Sequence, residues 1–78
     1  MKRELNANEL ISEQINDGSA TFEILSFDNN KNVFLCVEIV YNEETDKEER
    51  KEPEFFLTKK EMEIALHHFD GINHTIIL

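Results

Sequence analysis

The 78-residue chain has one cysteine, one proline, two glycines and no tryptophan, and its basic residues number 8 against 17 acidic ones. Each scarcity removes a class of explanation. With Cys36 alone, no disulfide can form within the chain and no Cys-Cys zinc pattern exists. Its place in the apolar run 33–41 marks it as a small buried hydrophobe, a thiol suited to a reducing cytoplasm. Gly18 and Gly71 are too few for a Gly-rich phosphate loop, a P-loop or a nucleophile elbow. The shortage of Lys and Arg leaves a formal net charge of -9. That argues against direct nucleic-acid binding, which draws its affinity from clustered cations that displace counterions. Long apolar runs are also missing. Residues 33–41 form the longest, contain Glu38, and reach about half the length of a membrane-spanning helix. The first ten residues turn polar and acidic after Lys2 and Arg3, with no apolar stretch of signal-peptide length. No membrane partner is expected, and the expected location is cytoplasmic.

What is present suffices for one core. The chain is 40% hydrophobic and includes six Phe, which places it among folding rather than disordered sequences. At this size roughly 60 to 65% of the unfolded chain's surface can be buried. No repeat or low-complexity tract divides it, so residues 1–78 read as one domain.

Hydrophobic spacing gives the elements. Ala7, Leu10, Ile11, Gln14 and Ile15 follow the i, i+3, i+4 rule and predict an amphipathic helix over 7–16, with Asn6 or Asn8 as its cap and Gly18 just past its end. Residues 20–27 mix Phe22, Ile24, Leu25 and Phe27 with polar neighbours, and the polar run 28–32 then supplies a turn into 33–41. This predicts a β-hairpin. In its second strand Val33, Leu35, Val37, Ile39 and Tyr41 share one face while Phe34, Cys36 and Val40 make the other face largely apolar, the pattern of a strand near the middle of a sheet. Glu38 interrupts that second face, so it either meets a solvated surface or an edge or is buried with a basic partner. Pro53 restricts the third strand to a short stretch at 54–57. Thr58 and Glu61 have capping-box spacing ahead of a second helix, whose Met62, Ala65, Leu66 and Phe69 share a face and whose end falls at Asp70-Gly71. Residues 72–78 predict a last strand. The expected fold is a small α+β domain of order α-β-β-β-α-β, with a mainly antiparallel sheet of three or four strands and two helices packed on one face.

The motifs that carry chemistry are sparse. His67 and His68 are adjacent and diverge by about 100 degrees on a helix, so they do not chelate one ion as an i, i+4 pair does. His68 and His74, with Asp70, could meet across the Gly71 turn, which makes a histidine metal site or sensor the alternative function. Histidines in a last helical turn also simply face the negative end of the dipole. Cys36 in a strand core lacks the open, electropositive setting of a nucleophile. The carboxylate pairs Glu43 with Glu44, Glu48 with Glu49, and Glu61 with Glu63 sit in polar runs where they stay ionised, unlike a general acid. No enzyme activity and no cofactor are expected.

Residues 42–52 have the composition of a solvated connection or the tip of a long hairpin. The segment 42–54 gathers seven acidic and three basic residues between two apolar runs. The leading functional expectation is therefore a small non-catalytic protein-interaction module, an acidic inhibitor or nucleic-acid mimic of the kind carried by mobile elements. Such a module docks on a basic partner surface through Glu43, Glu44, Asp46, Glu48 and Glu49. Ile64, pointing away from Met62 and Phe69, is a candidate anchor for a partner. The doubly apolar strand 33–41 also leaves a surface that a second copy could cover as a homodimer.

Overall fold

The structure, a computed structural model, describes residues 2–78. Its elements run β1 (Lys2–Asn6), a 3-10 turn (Ala7–Leu10), β2 (Gln14–Asn16), β3 (Thr21–Asp28), β4 (Val33–Asn42), β5 (Lys47–Thr58), α1 (Lys59–Asp70) and β6 (Asn73–Ile77). Strands β2-β3-β4-β5 form a four-stranded antiparallel sheet, and β1 pairs with β6 in a separate parallel ribbon. The α+β class and the antiparallel sheet are as expected. The element order differs, because one α-helix is present among the described residues and not two.

The expected helix over 7–16 is the main correction. Ala7 and Leu10 are buried by the 3-10 turn, Ser12 takes a positive φ of 73°, and Ile15 enters β2 opposite Phe22. A left-handed serine cannot continue a right-handed helix. The backbone of residues 12 and 13 is tied to β3 instead, with Ser12 N–H donating to the Ile24 carbonyl at 2.7 Å and Ile24 N–H donating to that of Glu13 at 3.0 Å. Ala7, Leu10 and Ile15 are buried as the spacing predicts, but Gln14 is exposed and no single helical period joins the set.

The third strand is likewise longer than expected. β5 covers twelve residues, Lys47–Thr58, so only 43–46 turn and the charged stretch is a strand of a long hairpin. Pro53 is accommodated because β5 is an edge strand and the ladder shifts there: Cys36 faces Phe55 while Glu38 faces Lys51. Three residues of β5, including Pro53 with its cis peptide bond, stand opposite Val37 alone, a bulge that needs no ladder N–H from proline. A second bulge, at Leu25, shifts β3 against β4.

Alternation along β4 divides the sheet into two faces. On the inner face Phe34 and Cys36 meet Phe22, Ile24 and Ile15 of the sheet, Met62, Ala65 and Leu66 of α1, Ala7 and Leu10 of the 3-10 turn, and Ile76 of β6. Helix, turn and ribbon together cover this face. Phe22 and Phe55 meet edge-to-face at 5.8 Å and Phe27 leans on Phe34 at 4.7 Å, geometries that favour ring pairs.

Helix α1 begins as its sequence specified. Thr58 Oγ1 accepts from Glu61 N–H at 3.2 Å and Glu61 Oε1 accepts from Thr58 N–H at 2.9 Å, closing the capping box. Gly71 ends the helix in the left-handed region at φ 74°, donating its N–H to the His67 carbonyl. Glu63 then ties the helix to the ribbon: its Oε2 accepts from the backbone N–H of Ile76 at 2.8 Å and from Lys59 Nζ at 2.9 Å. Phe69 departs from expectation. It is 52% exposed, because at the last turn it overhangs a groove beside β1 and β2 instead of reaching the sheet.

Candidate functional site

Two surfaces and one hydrogen-bonded pair carry the polar chemistry of the described residues. The first surface is the outer half of the β4–β5 hairpin. Glu43, Glu44 and Asp46 occupy its turn, and Glu48 and Glu49 open β5; all five are exposed. The turn is held by Asp46 in the left-handed region at φ 57° and by Asn42, whose Oδ1 accepts from Glu44 N–H at 2.9 Å. Asn42 also donates across the ladder to Glu49 Oε1 at 3.1 Å. The structure thus brings together the five carboxylates singled out in the sequence, on an ordered ladder and not on a loose connection. Ile64 lies apart from them, 51% exposed on the far side of α1, beside Lys60, His67 and Asn73.

Register fixes which side chains share a face. Tyr41 faces Glu48 and Ile39 faces Arg50 on the outer side, while Val40 faces Glu49 and Glu38 faces Lys51 on the inner side, beyond the helix. Along β5 the acids therefore alternate with Lys47, Arg50 and Lys51, and the densest negative charge lies at the turn. Glu38 is half-buried at the rim of the inner face, with Phe22 on one neighbouring strand and Lys51 on the other.

The outer face is the second surface. Glu23 of β3 stands opposite Val37, and its carboxylate reaches Arg50 of β5 at 3.1 Å. This ion pair crosses β4, so it lies over Val37 and Ile39, which are buried although they belong to no part of the inner core. Beyond it, Leu35 and Phe56 form a cross-strand pair at one end and Tyr41 stands at the other; Phe56 is 61% and Tyr41 57% exposed. The alternation Phe55-in, Phe56-out, Leu57-in was readable in the sequence, but Phe56 was not singled out. The Glu23–Arg50 pair spans 27 residues and left no local signal.

The pair joins buried His74 to exposed Asp70. His74 sits in β6 opposite Arg3, and its Nε2 donates to Asp70 Oδ2 at 2.6 Å. The His74 side chain is 3% exposed and that of Asp70 30%. The second ring nitrogen, Nδ1, is buried and has no hydrogen-bond partner among the described residues. Burial pushes the Asp70 carboxyl up, but the Ile72 N–H at 2.9 Å, the hydrogen bond from His74 and the charge of that ring outweigh it and hold Asp70 below its ordinary value. His74 and Asp70 meet across the Gly71 turn as the sequence suggested. His68 does not join them: it is exposed and its ring lies against that of His67, centroids 6.2 Å apart. Among the described residues no group of three or more His, Cys, Asp or Glu side chains is arranged to hold a metal ion.

Cys36 is fully buried, and burial pushes its thiol up to about 12, the inert state expected for a strand-core cysteine. No helix among the described residues is long and apolar enough to cross a membrane. No protein-family model, curated protein or solved structure matches the chain.

Proposed function

We propose that this chain is a non-catalytic protein-interaction module that presents its acidic hairpin to a basic surface of a partner protein. One observation carries the reading: the inner core takes no residue from 37–54, yet that stretch is ordered as paired strands with five exposed carboxylates at and beside its tip. A hairpin held clear of the core by its own ladder offers charge at little cost in ordering when a partner arrives. A net charge of -9 adds long-range attraction for a cationic surface, which raises the rate of encounter. The nucleic-acid-mimic version is the weaker one. Lys47, Arg50 and Lys51 interrupt the acidic row along β5, whereas phosphates repeat without interruption.

The test is retention of a partner from cytosolic extract at low and high salt. Wild type is compared with a variant in which Glu43, Glu44, Glu48 and Glu49 become Gln. A partner held at low salt, released at high salt and lost by the variant supports the reading. Identical partners on both proteins, insensitive to salt, refute it.

A further inference from the structure

We infer that the outer face of the four-stranded sheet receives a basic amphipathic helix of a partner protein, its apolar side on Leu35, Phe56 and Tyr41 and its cations on the acids of the hairpin. The inference rests on the interaction-module reading and names the class of partner. It starts from the two apolar faces of β4. The inner one is covered by α1, the 3-10 turn and the β1–β6 ribbon, whose Met62, Ala65, Leu66, Ala7, Leu10 and Ile76 fill it. The outer one is covered by no helix or strand among the described residues, and the smallest extent of the fold, 17 Å, accommodates the sheet and a single covering layer. Two of the most exposed large apolar side chains, Phe56 and Tyr41, lie on this outer face. They lie on one interrupted stripe along β4: Leu35 with Phe56 at one end, Tyr41 at the other, and between them Val37 and Ile39, buried beneath the Glu23–Arg50 pair.

Geometry and charge select the occupant. From Leu35 to Tyr41 is six residues along the strand, about 20 Å at the strand rise, which a helix covers in about 13 residues. The middle of the stripe lies under the Glu23–Arg50 pair, leaving apolar anchors at its two ends. This suits a helix that presents apolar residues on one side at i, i+3, i+4 and i+7 spacing. At the Tyr41 end the stripe runs directly into acid, since Glu48 faces Tyr41 and Glu43, Glu44 and Asp46 follow in the turn. The complement is a helix whose other residues are Lys and Arg. A second copy of this chain is the poorer complement, because it brings another charge of -9 to the same face.

Two labelled peptides of about 18 residues, long enough to span the stripe, test this by fluorescence anisotropy. One is an amphipathic Leu/Lys helix; the other has Ser in place of every Leu and the same Lys. Wild type should bind the Leu/Lys peptide at least about tenfold more tightly than the Ser/Lys peptide. Replacing both Tyr41→Ser and Phe56→Ser should remove that advantage while leaving the thermal melt unchanged, both positions being exposed. Equal binding of the Leu/Lys peptide by wild type and this double variant overturns the inference. Acidic docking still stands in that case if the glutamine variant loses both peptides. Failure of wild type to bind either peptide overturns both readings. A wild-type dimer in sedimentation that the double variant dissolves gives the face to a second copy and likewise overturns the inference.

Discussion

Replacing Asp70 with alanine removes the one hydrogen-bond partner that the His74 ring has among the described residues, and the cost can be worked from the geometry. Two bonds disappear, the 2.6 Å bond from His74 Nε2 and the 2.9 Å bond from Ile72 N–H. The second lies near solvent and water replaces it. The first leaves both nitrogens of a 3% exposed ring unpaired, a penalty of about 2 kcal/mol. A domain of this size has roughly 4 to 12 kcal/mol in all, so the variant should still fold and melt about 8 to 16 °C lower at pH 7. The sign of the pH dependence follows from the carboxyl. Because its folded value lies below the ordinary one, its contribution is fully present above about pH 4 and is lost as pH falls through the lowered folded value. Melting curves of wild type and Asp70→Ala, followed by circular dichroism from pH 7 downward, should therefore converge on acidification. Asp70→Asn keeps an oxygen for Ile72 N–H and should fall between the two. A loss of less than about 3 °C at pH 7, or a gap that stays constant into acid, refutes the reasoning.

Two further outcomes follow from local geometry. Native protein should leave Cys36 unmodified by an aromatic disulfide reagent at pH 8, because the thiol is buried and its ionisation is pushed up to about 12; unfolding in guanidinium should release one reactive thiol, and rapid labelling of the native state would contradict the burial. Thr58→Ala should cost about 1 kcal/mol by chemical denaturation, and Thr58→Ser should restore most of it, since the box needs only the hydroxyl that accepts from Glu61 N–H.

The parts of the fold that could be read from sequence are those whose causes are local. The capping box at Thr58, the left-handed stop at Gly71 and the two apolar faces of β4 each depend on neighbours within a few residues, and each stands where it was expected. The segment 7–16 failed because inward residues at 7, 10 and 15 arise equally from one helix or from a 3-10 turn followed by a three-residue strand. What decides between them is the pairing of Ile15 with Phe22 and of residues 12 and 13 with Ile24. β1 was invisible for a stronger reason: Lys2–Asn6 is mostly polar, and its partner is β6 at the other end of the chain. The first half of β5 carries no alternation because both of its faces are solvated beyond the reach of α1. Of the candidate residues, the hairpin carboxylates and the Asp70–His74 meeting were legible. The outer stripe was half legible, because Tyr41 was placed on it and Phe56 was not.

The length of the hairpin is what the core leaves unexplained. Phe34 and Cys36 at one end of β4, with Phe55 and Leu57 across from them, complete the inner layer; a chain that turned back soon after Cys36 would bury the same cluster. Continuing to Asn42 and returning from Lys47 adds ordered backbone without adding to that cluster, and each residue so fixed costs about 1 to 2 kcal/mol of chain entropy. The extension is held by ladder bonds, by the Asn42–Glu49 hydrogen bond and by the Glu23–Arg50 pair, interactions that individually return little at a surface. It also concentrates like charge in a molecule already at -9, which opposes compactness. Val37 and Ile39 are buried beneath the Glu23–Arg50 pair and help to hold the first part of the extension; beyond them, residues 40–49 include no buried side chain and gather most of the charge. An outer hairpin that buries no side chain of its own, that is nonetheless ordered, and that sets Tyr41 beside an acidic tip has the physical character of a surface kept for a partner.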